Sequence, residues 1–343
     1  MSAGPGTRPV AGPVVGPVVG PVVGVVGLGV MGAAMARRLA AQGATVVATS
    51  RSLQTREAFA ASVPTADHDR VEVLPTPAAV TTRLAALLPD GPLPVLVSVT
   101  AGKQVRAVVE GGACGAGLAD GVPAGRRLLL VDTSTCAPAD ARALATSLAH
   151  DGHGALDAPV SGGPSAIMKG TLSVMAGGAA DDLDAVRPAL ALFASTVVHC
   201  GGPGAGQVTK AANQLLVAAT IEAVAEALAL AAANGVDPSK VREALLGGYA
   251  SSPVLDLAGD RMIRADFGVV GAISLFVKDL GIIAELAAQS GVETVVADVV
   301  RERAERLAAD APDVDHAALV TLVAPAGLEA LADTRRDRTG AAT

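Results

Sequence analysis

Aromatic side chains are nearly missing from this chain. Among 343 residues there is no Trp, one Tyr and four Phe. Apolar residues still make up 51%, so the core has to be packed from Ala, Val and Leu. Cysteine is scarce as well. Cys114, Cys136 and Cys200 are odd in number and have no metal or redox spacing, which argues against a disulfide framework and reads as reduced thiols of a cytoplasmic protein. The five histidines are scattered, so no metal site is expected. Basic charge is in the minority, with a net charge of -7, which gives no footprint for nucleic acid. A long uniform apolar run is lacking too. The most apolar stretch, Leu215 to Ala233, is broken by Glu222 and Glu226, whereas a span needs about 20 near-uniformly apolar residues. No membrane partner is expected.

What the chain does have is punctuation. Its N-terminal end repeats Gly-Pro-Val-Val three times. Pro and Gly at that density prevent a helix, and no basic segment leads an apolar one, so residues 1–20 read as a disordered low-complexity tail rather than a signal peptide. The length suits two domains. Val22 to Val26 is a β-branched run fit for a buried parallel strand. A helix from Met31 to Gln42 and a strand from Thr45 to Ala48 complete a βαβ opening. Residues 63–94 carry six prolines and leave room for one strand near 71–74 and one helix near 78–88. Strands are expected at 95–99, 128–132, 155–156, 172–175 and 196–199, with helices at 138–149 and 181–193. This alternation predicts an α/β domain over 21–200 with a doubly wound, mostly parallel sheet. From Gly204 to Asn234 one long helical pattern follows, ended by Gly235. Only helical stretches come after it. An all-α domain over 201–325, joined through the long helix, and a flexible tail over 326–343 are expected.

The turn after the first strand reads Gly27-Leu28-Gly29-Val30-Met31-Gly32. It follows a strand and opens a helix, the context a dinucleotide-binding turn requires. Gly27 permits the turn, Gly29 admits the pyrophosphate, and Gly32 lets helix and strand pack closely. Phosphate then meets the positive end of the helix. This is the opening of a Rossmann domain. An acid about 20 residues on would accept from the ribose 2′-hydroxyl of NAD. Here Ser50-Arg51-Ser52 stands instead. Arg51 can pair with a 2′-phosphate and the two hydroxyls can donate to it, so NADP(H) is preferred, with NAD(H) possible.

Lys210, Asn213 and Gln214 share one face of the long helix at i, i+3 and i+4. Only five of 26 basic residues are lysines (103, 169, 210, 240 and 278). Lys103, Lys169 and Lys240 read as chance surface charges, whereas Lys210, on a helix face in a Gly-rich context, reads as a lysine kept because it can titrate. Reduction of a carbonyl leaves an alkoxide that needs a proton, and Lys210 can supply it as general acid or take it back as general base. Asn213 and Gln214 can orient the substrate oxygen. Ser161-Gly162-Gly163 follows a strand end and offers backbone N–H groups and a hydroxyl to a carboxylate. Ser134 and Thr135 end another strand, where ligands of open α/β sheets bind, and fit contacts to substrate and nicotinamide ribose respectively.

In this order the motifs resemble the β-hydroxyacid dehydrogenase family, over about Val22 to Leu307. Asp157 to Gly163 is similar to its substrate loop, Gly204 to Gln214 to its catalytic helix, and Lys278-Asp279-Leu280 to its later lysine motif. The resemblance implies that Lys278 reaches cofactor or substrate from the helical domain. It also implies that Thr100 and Ala101 touch the cofactor, although Val99-Thr100-Ala101 departs from the family's Met-Leu-Pro. Asn213-Gln214 and Gly247 to Ser252 are nearer the tartronate semialdehyde reductase branch than the 3-hydroxyisobutyrate dehydrogenase branch. The family implies a homodimer or homotetramer acting on a small-molecule carboxylate substrate, a short β-hydroxy acid and its semialdehyde. Two other readings compete: an imine reductase on a related scaffold, whose members generally lack the lysine, and an NADPH-binding protein without turnover.

Overall fold

The computed structural model describes residues 20–112 and 115–328. Nearly all of the expected N-terminal tail, most of the C-terminal tail and Cys114 lie outside them. The chain divides after Lys210 into two compact units.

The first unit alternates strands and helices: β1 (Val22–Val26), α1 (Val30–Ala41), β2 (Thr45–Thr49), α2 (Leu53–Ser62), β3 (Val71–Val73), α3 (Pro77–Leu87), β4 (Pro92–Val97), α4 (Gly102–Glu110), β5 (Arg127–Asp132), α5 (Pro138–His150), β6 (Gly154–Asp157), β7 (Val160–Ser161), α6 (Gly163–Lys169), β8 (Leu172–Gly177), α7 (Ala180–Leu190) and β9 (Ala194–Gly201). Strand order is β3-β2-β1-β4-β5-β6-β8-β7, with β9 on β8. The first six strands of that order run parallel. β8 then pairs antiparallel with β6 and β7, so the far edge reverses direction. Both sheet faces are covered, which is why the strands are apolar throughout rather than alternating. Along β1, Val23 and Val25 enter one core layer with Met35, Leu39, Phe59 and Phe193. Val22 and Val26 enter the other with Leu84, Leu93, Val105 and Leu144. Truncating one such leucine to Ala costs about 2–5 kcal/mol.

Several expectations need adjusting. Strand β4 begins at Pro92, earlier than the expected 95, although proline is unwelcome in a central strand. The register explains it: Pro92 and Pro94 pair only with β5, and β1 joins from Val95 onward. Ahead of the proline-rich stretch lies α2, a helix the reading of the sequence did not include, and inside the stretch a 3-10 turn at Thr65–Arg70 leads into β3. Ser52 caps α2, accepting from Thr55 N at 3.3 Å, and Thr76 caps α3 in the same way. The helix expected to reach 193 ends at Leu190, just after its internal Pro188.

Helix α8 (Ala205–Ala233) runs from the end of the first unit into the second. By length and a hydropathy of 1.9 it would suit a bilayer, but 44% of its most apolar stretch is buried inside the protein. Glu222, within it, is buried and ion-paired with Arg303 at 2.5 Å. The second unit continues with α9 (Pro238–Leu246), α10 (Pro253–Ile263), α11 (Ile273–Ser290), α12 (Val295–Asp310) and α13 (Val320–Val323). Ile221, Leu228, Leu255, Phe276, Leu280, Val300 and Leu319 build its core. Asp237 and Ser252 cap α9 and α10, each with Pro in the first turn.

Two adjacent strands end in acids. Asp132 and Asp157 are register partners on β5 and β6. Burial pushes Asp132 up to about 6, with the neighbouring Asp157 adding to the shift and hydrogen bonds from Ser134 opposing it. Burial likewise raises Asp157, against backbone N–H groups of Gly204 and Gln207. Asp132 thus favours the folded state most while protonated. Its contribution is present below the ordinary carboxylate range and is lost as pH rises through about 6. At about 1.4 kcal/mol per pH unit, ionising it in place costs about 3 kcal/mol. Asp132→Asn should therefore flatten the decline of thermal stability expected of wild type between about pH 4 and pH 6. Parallel Tm-against-pH curves for the two proteins would contradict the assignment.

Candidate active site

The β1–α1 turn is shaped by backbone contact. Gly27 adopts φ +96° and donates its N–H to Thr49 O at 2.9 Å. A Cβ at Gly32 would lie 1.9 Å from Gly27 O, so helix and turn touch where no side chain fits. Gly29 is the N-cap of α1, and a Cβ there would project into open space. Helix α1 has no side-chain cap and no acid in its first turn. Its first N–H groups and positive end are offered outward, which fits a pyrophosphate. Val30 is exposed, while Leu28 is buried and Met31 packs on the core.

At the end of β2, Arg51 and Ser52 are exposed and Ser50 is half-buried. Arg56, which sequence reasoning passed over, folds back beneath them. Its Nη1 donates to Ser50 O at 2.6 Å and Arg51 O at 3.2 Å, fixing the backbone that presents Arg51. After β4, Thr100 N and Oγ1 both donate to Gln104 Oε1, and Ala101 is the N-cap of α4.

Ser134 is buried and fully engaged in bracing. Its Oγ accepts from Val99 N at 3.0 Å, its N–H donates to Asp132 Oδ1 at 2.9 Å, and its carbonyl accepts from Gln207 Nε2 at 2.8 Å. Thr135 beside it is half-buried. Ser161 ends β7, paired with Ser173. Gly162, at φ +130°, caps α6, and Gly163 begins it at φ +71°.

The start of α8 is pinned to these segments. Asp157 Oδ1 accepts from Gly204 N at 2.7 Å, and Oδ2 accepts from Gln207 N at 2.8 Å. A Cβ at Gly206 would sit 2.4 Å from both Asp157 O and Met175 O, so the helix backbone lies directly on the strands. One turn along, Lys210 is 7% exposed, and its Nζ donates to Val160 O at 2.9 Å. The amine thus lies against the residue preceding Ser161. The first unit therefore brings together Ser134, Asp157, Ser161 and Lys210 around the first turns of α8.

The remaining residues sit in the second unit. Asn213 Nδ2 donates to Gln214 Oε1 at 2.9 Å. Gln214 Nε2 donates to Asp279 Oδ2 at 2.6 Å, and Lys278 pairs with Asp279 Oδ1 at 3.0 Å. Both amides of the expected oxygen-orienting pair are thus in one chain that ends on Lys278. Asp279 was not singled out in the sequence as a site residue, and its 65-residue separation from Gln214 left no local signal. Among the described residues no group of three or more His, Cys, Asp or Glu is placed to hold a metal.

Comparison with known proteins places both halves of the chain in one family. Residues 22–202 match the NAD-binding domain of 6-phosphogluconate dehydrogenase, and residues 204–323 match the NAD-binding family of NADP-dependent 3-hydroxyisobutyrate dehydrogenase. The chain is 39% identical to 2-hydroxy-3-oxopropionate reductase of Escherichia coli over 56% of its own length and 66% of that enzyme, just under two thirds. It is 32% identical to L-threonate dehydrogenase of Cupriavidus necator over 78% of its length and 83% of that enzyme. The structure of 3-hydroxyisobutyrate dehydrogenase from Salmonella typhimurium superposes with a TM-score of 0.73 at 26% identity, covering 88% of this chain and 99% of that one. A nucleotide-binding turn, a lysine-bearing helix pinned to the strand ends, and relatives matched across both units lead to one assignment: the chain belongs to the β-hydroxyacid dehydrogenase family of NAD(P)-dependent oxidoreductases that act on CH–OH groups.

Proposed function

We propose that this protein interconverts a short β-hydroxy acid and its semialdehyde with NADP(H) as the preferred cofactor, and that Lys210 is the general acid/base. The observation that carries the reading is the buried Lys210 amine, 2.9 Å from Val160 O and next in line to Ser161. A cation held there faces the loop Ser161-Gly162-Gly163, whose hydroxyl and N–H groups suit the anionic end of an acid. The substrate carbonyl then lies within reach of the amine. A dihydronicotinamide, when bound, would supply the hydride. Lys210 gives its proton to the oxygen that becomes negative, and in the oxidation direction the neutral amine takes that proton from the hydroxyl. The relatives named above as acting on 2-hydroxy-3-oxopropionate, threonate and 3-hydroxyisobutyrate support a three- to four-carbon hydroxy acid as substrate class.

At the cofactor's other end, Arg51 with Ser50 and Ser52 would hold the 2′-phosphate, Gly27 to Gly32 the pyrophosphate, and Thr100, Ala101 and Thr135 the nicotinamide ribose. In the second unit, Lys278 shares Asp279 with the Asn213–Gln214 pair; Lys278 would serve as a cofactor contact and the two amides as substrate contacts. A cytoplasmic homodimer or homotetramer completes the reading.

Two experiments test it. With a panel of small semialdehydes followed at 340 nm, Lys210→Met should lower kcat by about 10²–10⁴-fold while NADPH affinity stays nearly constant; a variant with wild-type kcat removes the amine from the mechanism. Arg51→Glu should reduce kcat/KM for NADPH by about 10–100-fold, the worth of one charge-assisted contact, and leave the NADH value level or higher. If wild type already favours NADH, the 2′-phosphate assignment fails.

A further inference from the structure

Gln207 is 1% exposed, lies one helical turn before Lys210, and has no part in the proton transfer proposed above. A buried amide of this kind demands partners, and Gln207 finds both of its partners on one loop. Its Nε2 donates to Ser134 O at 2.8 Å and its Oε1 accepts from Cys136 N at 3.1 Å. The two bonds straddle Thr135, so one planar group sets the chain on both sides of that residue. The backbone N–H of Gln207 meanwhile donates to Asp157 Oδ2 at 2.8 Å. Gln207 therefore joins the ends of β5 and β6 to the helical turn that leads to Lys210.

We propose that Gln207 is a positioning residue that holds the Ser134–Thr135–Cys136 loop in register with the Lys210 amine; this rests on the reading of Lys210 as general acid/base. Only a side chain that donates and accepts across the same span fills this role. Leucine does neither. An ionised glutamate accepts but cannot donate to Ser134 O, whereas a protonated one reproduces the amide's pattern. Loss of register by about 1 Å between a bound reactant and its proton donor costs on the order of 10²-fold in rate.

The test uses the full chain with NADPH and a semialdehyde substrate. It compares Gln207→Leu, Gln207→Glu, Lys210→Met and the Gln207→Leu/Lys210→Met double variant, each assayed below its Tm. Gln207→Leu should lower kcat about 10–100-fold with the NADPH Kd shifted less than about threefold. In the Lys210→Met background the same change should cost far less, because the donor it aligns is gone. The kcat of Gln207→Glu relative to wild type should rise as pH falls. The ratio to wild type is the readout because Asp132, Asp157, Cys136 and Lys210 surround this position in both proteins, and their effects cancel in it. A folded Gln207→Leu protein with wild-type kcat, equal losses in both backgrounds, or a flat Glu-to-wild-type ratio would each overturn the proposal. If Lys210→Met collapses kcat while Gln207→Leu does not, only the positioning role falls. If Lys210→Met retains wild-type kcat, the lysine reading falls and this proposal with it.

Discussion

The carboxylate of Asp157 carries the organisation of the first unit's functional end. It accepts the N–H groups of Gly204 and Gln207, donors that the start of a helix leaves without intrahelical partners. A carboxylate in that position meets the positive end of the helix, and each such charge-assisted bond contributes about 1.5–3 kcal/mol. Burial works against this by raising the carboxyl above its ordinary range. The balance depends on the N–H groups being close, which the helix achieves by resting its backbone on the strands at Gly206. A side chain there would strike Asp157 O and Met175 O. One acid and one glycine therefore decide where α8 begins, and so where a residue one or two turns along it is placed.

Lys210 inherits its position from that anchor. Its Nζ reaches Val160 O from a turn whose N-terminal end is fixed on Asp157, three residues earlier in the sequence than Val160. The strand end and the helix start thus share a short loop of structure in which both ends of the lysine's surroundings are defined by hydrogen bonds. An arginine could not substitute conservatively here, since its planar fork needs a broader, flatter partner than a single carbonyl.

Legibility in the sequence followed the range of the interactions. The β1–α1 turn could be read because its requirement is local: Gly27, Gly29 and Gly32 act within one turn and two flanking elements. The shared face of Lys210, Asn213 and Gln214 followed from helical spacing. The reversed strands at the sheet edge could not be read, because β7 is two residues long and its pairing with β8 lies in tertiary contact. Helices α2, α4 and α6 escaped because they are short and open on residues that resemble loop. Asp157 was visible as part of a motif, yet its bonds to Gly204 and Gln207 cross 47 and 50 residues. Ser134 was read as a ligand contact from its place at a strand end, and its hydroxyl turns out to brace Val99. The pairing of Gln214 with Asp279 belongs to the same class of long-range information.

The poverty in aromatics bears on all of this. Large rigid side chains locate neighbouring elements by shape, and a core of Ala, Val and Leu offers less of that. In this chain the elements around the first turns of α8 are located by polar bonds to backbone instead. Asp157, Gln207, Ser134 and Lys210 each bond to a main-chain group, and main-chain groups move only when an element moves. Small residues permit this, because glycine lets backbones approach to the distance at which such bonds form. A core that filled the same space with aromatics would separate the strands from α8 and lose these bonds, so the composition and the polar bracing are two sides of one packing solution.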